Sequence, residues 1–243
     1  MHITPSWGSG RARVAMSCWL VATALAAPLS RANDRPYQAT WTAVADEDDV
    51  GVWSVESWAT RLGSLRTVNV APEYAFQPTT TLQLEMARAN DRSAGGWSTL
   101  AELEFKQLFN HIARDGYGWG VVLTLTTAKG SDSGWKRDEW SVKLPLSLSL
   151  WEGDGLLHLN ASRGQEGDER PRWGVAMALE GEVWKRTRLF GEVAHDGSTT
   201  FVHGGVRYWV KRERLAIDFS LQRERSDGAT RNGAIIGLGW YDL

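Results

Sequence analysis

Long runs in which apolar and polar residues alternate constrain this chain more than any other feature. Trp140, Val142, Leu144, Leu146, Leu148 and Leu150 alternate with Ser141, Lys143, Pro145, Ser147 and Ser149. Leu82, Leu84 and Met86 alternate with Gln83, Glu85 and Ala87. Ala101, Leu103 and Phe105 alternate with Glu102, Glu104 and Lys106. Leu215, Ile217, Phe219 and Leu221 alternate with Ala216, Asp218, Ser220 and Gln222. Successive side chains of a strand point to opposite faces, so a period of two marks a strand whose faces meet different surroundings. No long segment carries a helical period.

Turn residues separate the runs. The pattern predicts strands at 50–60, 66–76, 80–89, 97–109, 118–129, 137–151, 156–164, 173–184, 188–196, 199–210, 215–225 and 233–242. That is about twelve strands, with ten the alternative. Pro72 and Pro145 fall mid-strand, where each is expected to mark a bulge. Connections at 77–79, 152–155, 185–187 and 211–214 are tight, and 110–117 is longer. Those at 88–96, 129–136, 164–172 and 226–232 are longer and rich in Gly, Asp, Ser and Arg. Tight turns at one end and longer polar loops at the other describe an all-β, transmembrane, antiparallel up-and-down β-barrel. An even strand count places both termini at the tight-turn end.

The start of the chain reads differently. Arg11 and Arg13 precede an apolar stretch from Val14 to Leu29, followed by small residues at Ala26 and Ala32. This is the pattern of a secretory signal, cleaved at one or the other, so residues 1–32 are assigned as signal peptide. Residues 33–48 are assigned as a periplasmic lead-in, and 49–243 as the barrel. Cleavage after Ala32 would remove three arginines and no acid, taking the net charge from −2 to −5. It would also remove Cys18, the only cysteine, so an exported chain without disulfides must be held by its sheet. The acidic balance speaks against nucleic acid as a partner.

Tryptophan is in excess, with 14 in the chain. Trp97, Trp140 and Trp173 open strands at the long-loop end. Trp119, Trp151, Trp184, Trp209 and Trp240 lie near the tight-turn end, with Tyr208 and Tyr241 beside two of them. Trp140 to Trp151 spans eleven residues, and so does Trp173 to Trp184. Eleven residues at ~3.3 Å, tilted roughly 40°, rise about 28 Å, the depth of an outer-membrane apolar band. Indole rings favour both interfaces of a bilayer, so these ten aromatics are expected to form its girdles. The odd spacing conflicts with strict alternation, unless a bulge intervenes or one ring turns away from lipid. The competing architecture is a soluble β-sandwich with these rings in its core.

If Leu and Val face lipid, the alternate residues face a lumen. That set contains Glu73, Glu85, Glu102, Glu104, Glu180, Glu182, Glu192 and Asp218, with Glu56 beside them. The basic residues there are Lys106, Lys143 and Arg207, with His158 and His203. Buried carboxylates must be solvated or paired. Two outcomes stay open. An acidic wall can line a passage that favours cations or hydrogen-bonding solutes, or the basic residues can tie the acids into a network that fills the bore.

Little points to catalysis. His195 precedes Ser198 by three residues, but Asp196-Gly197 between them reads as a turn. The five histidines lack metal-ligand spacing, and no phosphate-binding glycine motif occurs. The expectation is a non-enzyme without cofactor or metal.

The segments Val206-Arg207-Tyr208-Trp209-Val210, Arg214-Leu215-Ala216-Ile217-Asp218 and Ile236-Gly237-Leu238-Gly239-Trp240 resemble the outer-membrane proteins grouped with the phenol meta-degradation pathway. Leu144-Pro145-Leu146-Ser147-Leu148 and Leu157-His158-Leu159-Asn160 are similar to the middle of that family. The resemblance covers roughly residues 66–243. It implies a passive outer-membrane channel for small solutes, among them aromatic or other small organic compounds, with membrane lipid and the barrel-assembly machinery as partners. It names no solute and no oligomeric state.

Overall fold

The structure is a computed structural model and describes residues 50–91, 96–130, 133–197, 199–226 and 228–243. The signal and lead-in assignments, Trp41 and Ser198 lie outside the described residues. Twelve strands follow in order: β1 Trp53–Leu62, β2 Leu65–Gln77, β3 Thr80–Asp91, β4 Trp97–Leu108, β5 Tyr117–Lys129, β6 Lys136–Leu150, β7 Gly155–Glu166, β8 Arg172–Trp184, β9 Thr187–Asp196, β10 Thr199–Lys211, β11 Leu215–Ser226 and β12 Ala229–Trp240. Each pairs antiparallel with its neighbours in sequence, and β12 pairs with β1, so the sheet closes into a barrel. Closure removes the free edges that a sandwich would leave, and with them the sandwich architecture.

The alternation resolves onto two walls. Val68, Leu84, Leu103, Leu125, Leu144, Val175, Phe219, Leu221 and Ile236 stand exposed on the outside. Lys106, His158, Glu180, Glu192, Arg207 and Asp218 are buried inside. A soluble protein has the opposite distribution. This one suits a wall surrounded by hydrocarbon.

Three expectations need correction. Neither proline makes a bulge. Between β6 and β7 the register runs unbroken from Glu139↔Glu166 to Leu150↔Gly155, with Pro145 opposite Asn160. Val70↔Met86 and Glu73↔Gln83 hold one register on either side of Pro72. Pairing is interrupted beside each proline, toward β3 at Pro72 and toward β5 at Pro145, because the ring has no N–H to give. The β5–β6 irregularity lies instead between Thr126 and Thr127, nearer the loop end than Pro145.

The loop asymmetry is also weaker than expected. β11 and β12 reach Ser226 and Ala229, which pair with each other, so the expected long connection at 226–232 is mostly strand. The tight-turn end carries the extended connection 109–116, which contains a single helical turn, α1 Ile112–Asp115.

The odd tryptophan spacings have two different causes. Between β8 and β9 the register shifts between Glu182 and Trp184, and that bulge turns Trp184 outward, where it is 73% exposed. Trp151 instead leaves β6 in left-handed backbone, with φ 51. Its ring folds back over Gly155, where a Cβ would lie 2.3 Å from the indole. A larger residue there would push the indole off this position.

Candidate functional site

The lumen is built by alternate residues from all twelve strands, and it divides into two regions. The half toward the termini is filled. Arg207 on β10 meets Asp218 on β11 through two hydrogen bonds, Nε to Oδ1 at 2.7 Å and Nη2 to Oδ2 at 2.8 Å. Arg207 and Asp218 are direct register partners, which is why the planar fork fits. Glu56 of β1 lies 3.7 Å from the same guanidinium and accepts a hydrogen bond from the Tyr241 hydroxyl. Trp209 and Tyr241 present their rings to Arg207, at 5.5 and 5.7 Å from centroid to guanidinium carbon. Desolvated cation–π contacts of this kind contribute on the order of 1–2 kcal/mol.

Two histidine chains lie beside this cluster. Ser147 Oγ is 2.7 Å from His158 Nδ1, and His158 Nε2 is 3.2 Å from Glu180. Arg188 of β9 completes the chain, 3.3 Å from the other oxygen of Glu180. His203 stands in the same way between Ser220 at 2.7 Å and Glu192 at 3.3 Å, with its ring against Phe190 and Phe201. Ser147, His158 and Glu180 have the residue order of a hydrolytic triad. Ser147 and His158 are 0% exposed, so no substrate reaches the serine oxygen. Thr81, Leu108, Val122, Leu156 and Ala71 are equally buried on the remaining walls, and side chains fill the bore at this level.

The half toward the loop end is open. A cavity of about 400 Å³ is lined there by Glu102, Thr124, Glu139, Ser141, Lys143, Asn160, Ser162, Glu166, Arg172 and Asp196, among others. The register arranges its acids. Glu85 pairs with Glu102, Glu102 with Thr126, Thr126 with Glu139, and Glu139 with Glu166. These form one continuous row across β3 to β7. Extended past Ala71, the row reaches Glu56 on β1. Because barrel strands tilt, a row at right angles to them climbs. Glu56 lies near the start of β1, whereas Glu166 ends β7 at the loop-end rim. The row is therefore an acidic ramp from the filled region to the mouth.

Of the residues singled out in sequence, Glu102 and Lys143 line the open half, Glu85 stands opposite Glu102, and Glu104 stands opposite Thr124. Lys106, His158, Glu180, Glu192, Arg207 and Asp218 are buried in the wall or the filled half. Glu73 accepts a 3.4 Å hydrogen bond from Thr81, and Glu182 pairs with Arg212 at 2.9 Å near the tight-turn mouth. Sequence reasoning missed Arg188, Ser147, Glu139 and Glu166. Alternation about Leu189 marks Arg188 as inward. The irregularity between Thr126 and Thr127 offsets the pattern near Glu139.

Two of the ten interfacial aromatics are corrected. Trp209 is 5% and Tyr241 2% exposed, and both point into the lumen. Tyr208 and Trp240, their neighbours in sequence, are exposed outside, as alternation requires of adjacent residues. Trp97, Trp119, Trp151, Trp173 and Trp184 are exposed on the outer wall, and Trp140 is half-buried with its indole N–H bonded to Gln165 at 3.0 Å. Arg88 and Arg163 lie over Trp97 and Trp173 at the loop end, 5.2 and 5.3 Å from the ring centroids.

No family model and no curated protein matches this chain. Solved structures do. The chain is similar to the KdgM porin, at 9% identity and TM-score 0.59, over 77% of this chain and 98% of that one. It is similar to an outer membrane channel from Pseudomonas putida F1, at 11% identity and TM-score 0.58, over 85% and 100%. The NanC porin follows at 9% identity and TM-score 0.57, over 77% and 98%. These likenesses establish the fold: a closed twelve-stranded barrel of the kind seen in outer-membrane porins.

Proposed function

We propose that this chain is an outer-membrane channel that passes small solutes passively. The observation that carries the reading is the pairing of an apolar, tryptophan-rimmed outer wall with a charged lumen that opens into a cavity at one mouth. Its surroundings are outer-membrane lipid, reached through the barrel-assembly machinery. The proteins of similar fold are named as porins and channels, one of them in complex with oligogalacturonate. The phenol-pathway resemblance favours small aromatic or other organic compounds. Reconstitution in planar bilayers tests the reading: discrete conductance steps or solute flux support it, and insertion without either removes it.

A second reading has its own support. The buried cluster around Arg207, His158 and Glu180 fills the terminal half of the bore, as in a barrel whose lumen is structural and whose loops meet partners. Loosening that cluster distinguishes the two. A channel changes its conductance and selectivity while staying folded, whereas a purely structural barrel loses only its heat-modifiable gel mobility.

A further inference from the structure

We propose that the acidic ramp at the loop-end mouth is a binding track for linear aliphatic polyamines. Like charges directly opposite one another across an antiparallel pair are destabilising. Here Glu85 faces Glu102, and Glu139 faces Glu166, and Glu102, Glu139 and Glu166 line one cavity. Neighbouring strands lie ~4.8 Å apart, so the row offers carboxylates at intervals of roughly 5 to 10 Å. That spacing matches ammonium groups separated by three or four methylenes. It does not match a single metal ion, and among the described residues no three His, Cys, Asp or Glu side chains converge to hold one.

A second observation points to a ligand. Thr124 lines this cavity and is 8% exposed, yet its hydroxyl has no hydrogen-bond partner. It sits one row below the ramp, opposite Glu104 on one side and Ser141 on the other. A buried hydroxyl without a partner is costly, and an ammonium N–H would supply the missing bond. Lys106 and Lys143 lie in the next row, joined through Val122, and act on Glu104. Lys143 acts on Glu85 and Glu139 as well, so one lysine is shared among three acids and the row of Glu85, Glu102, Glu139 and Glu166 keeps an excess of carboxylates. The cavity volume falls within the usual range for small-ligand sites.

This inference rests on the channel reading only for access from the loop-end mouth, so its test has a readout other than conductance. The full-length protein, folded in detergent, is titrated with spermidine by isothermal calorimetry and then reconstituted in planar bilayers. We expect saturable binding that weakens by about tenfold or more in E102Q/E139Q, and severalfold in T124V, as removal of close charge and hydrogen-bond partners does. E152Q/E213Q removes the same charge at the opposite end and leaves affinity unchanged. E139Q alone, at the exposed rim, repeats the effect in part if the double variant does not fold. Binding with no conductance supports the track and removes the channel reading. Absent spermidine binding, binding indifferent to E139Q and E102Q/E139Q, or tighter binding of magnesium at the same residues overturns the track, whatever the conductance.

Discussion

Tyr241 donates its hydroxyl hydrogen to Glu56, 185 residues away in sequence, across the seam where β12 meets β1. The contact joins the last inward residue of the barrel to the first strand. The Tyr241 side chain lies over Gly239, where a Cβ would come within 2.4 Å of its hydroxyl oxygen, so a larger residue there would displace Tyr241. Y241F keeps the ring and deletes the bond to a carboxylate that is only 13% exposed. The expected loss is about 1.5–3 kcal/mol, the worth of a hydrogen bond to a charged group. Heat-modifiable gel mobility should shift to lower temperature in Y241F, and an unchanged midpoint would remove the seam role.

Arg207 is the centre of the filled half, and its two bonds to Asp218 need a planar fork. R207A leaves Asp218 and Glu56 buried beside the hole, at an expected cost of about 3–5 kcal/mol. R207K keeps the charge but not the bidentate geometry, and should fall between the two. In R207A/D218A the orphaned charge is gone, so stability should return in part. A double-mutant cycle on urea unfolding in lipid measures the coupling, and simple additivity would show that the pair is not coupled.

The barrel and most of its inner wall were legible in the sequence, because period two survives along strands as long as β6 and β11. The acidic ramp was not. It depends on which residue of β4 lies opposite Glu85, and register belongs to the closed sheet rather than to any one run. Glu139 was further hidden by the irregularity between Thr126 and Thr127. The misplacement of Trp209 and Tyr241 was avoidable. Tyr208-Trp209 and Trp240-Tyr241 are adjacent pairs, and alternation allows only one ring of each to face lipid. Trp151 could not have been placed, since its ring is turned outward by left-handed backbone at the strand end.

Outside the strands, α1 is held by a local carboxylate. Asp115 accepts hydrogen bonds from Arg114 at 2.7 and 2.8 Å and from the His111 N–H at 3.2 Å. The Arg114 guanidinium first, and the His111 N–H after it, pull the carboxyl down to about 2. A carboxylate held below its unfolded value adds stability above about pH 4, and that stability is lost as pH falls through about 2. Amide exchange across 111–116 should therefore be faster in D115N than in the parent at neutral pH, and equal in both near pH 2. Equal exchange at neutral pH would show that Asp115 does not hold the turn. The group is at the surface, so global unfolding should stay unchanged.

Trp184 and Trp209 lie near the same end of the barrel but on opposite walls. Trp184 is 73% exposed outside, set there by the bulge after Glu182, whereas Trp209 is buried against Arg207 and Tyr241. W184A removes an interfacial ring and no lumen contact. It should weaken anchoring of that end, read as stronger quenching of neighbouring tryptophans by a water-borne quencher such as iodide, with conductance unchanged. W209A takes a large ring from the filled half and also removes one face of the Arg207 site. It should lower stability by about 3–5 kcal/mol, as truncation of a buried Trp does, and raise single-channel conductance by opening the bore. Conductance that rises in W184A and not in W209A would place the constriction elsewhere in the lumen.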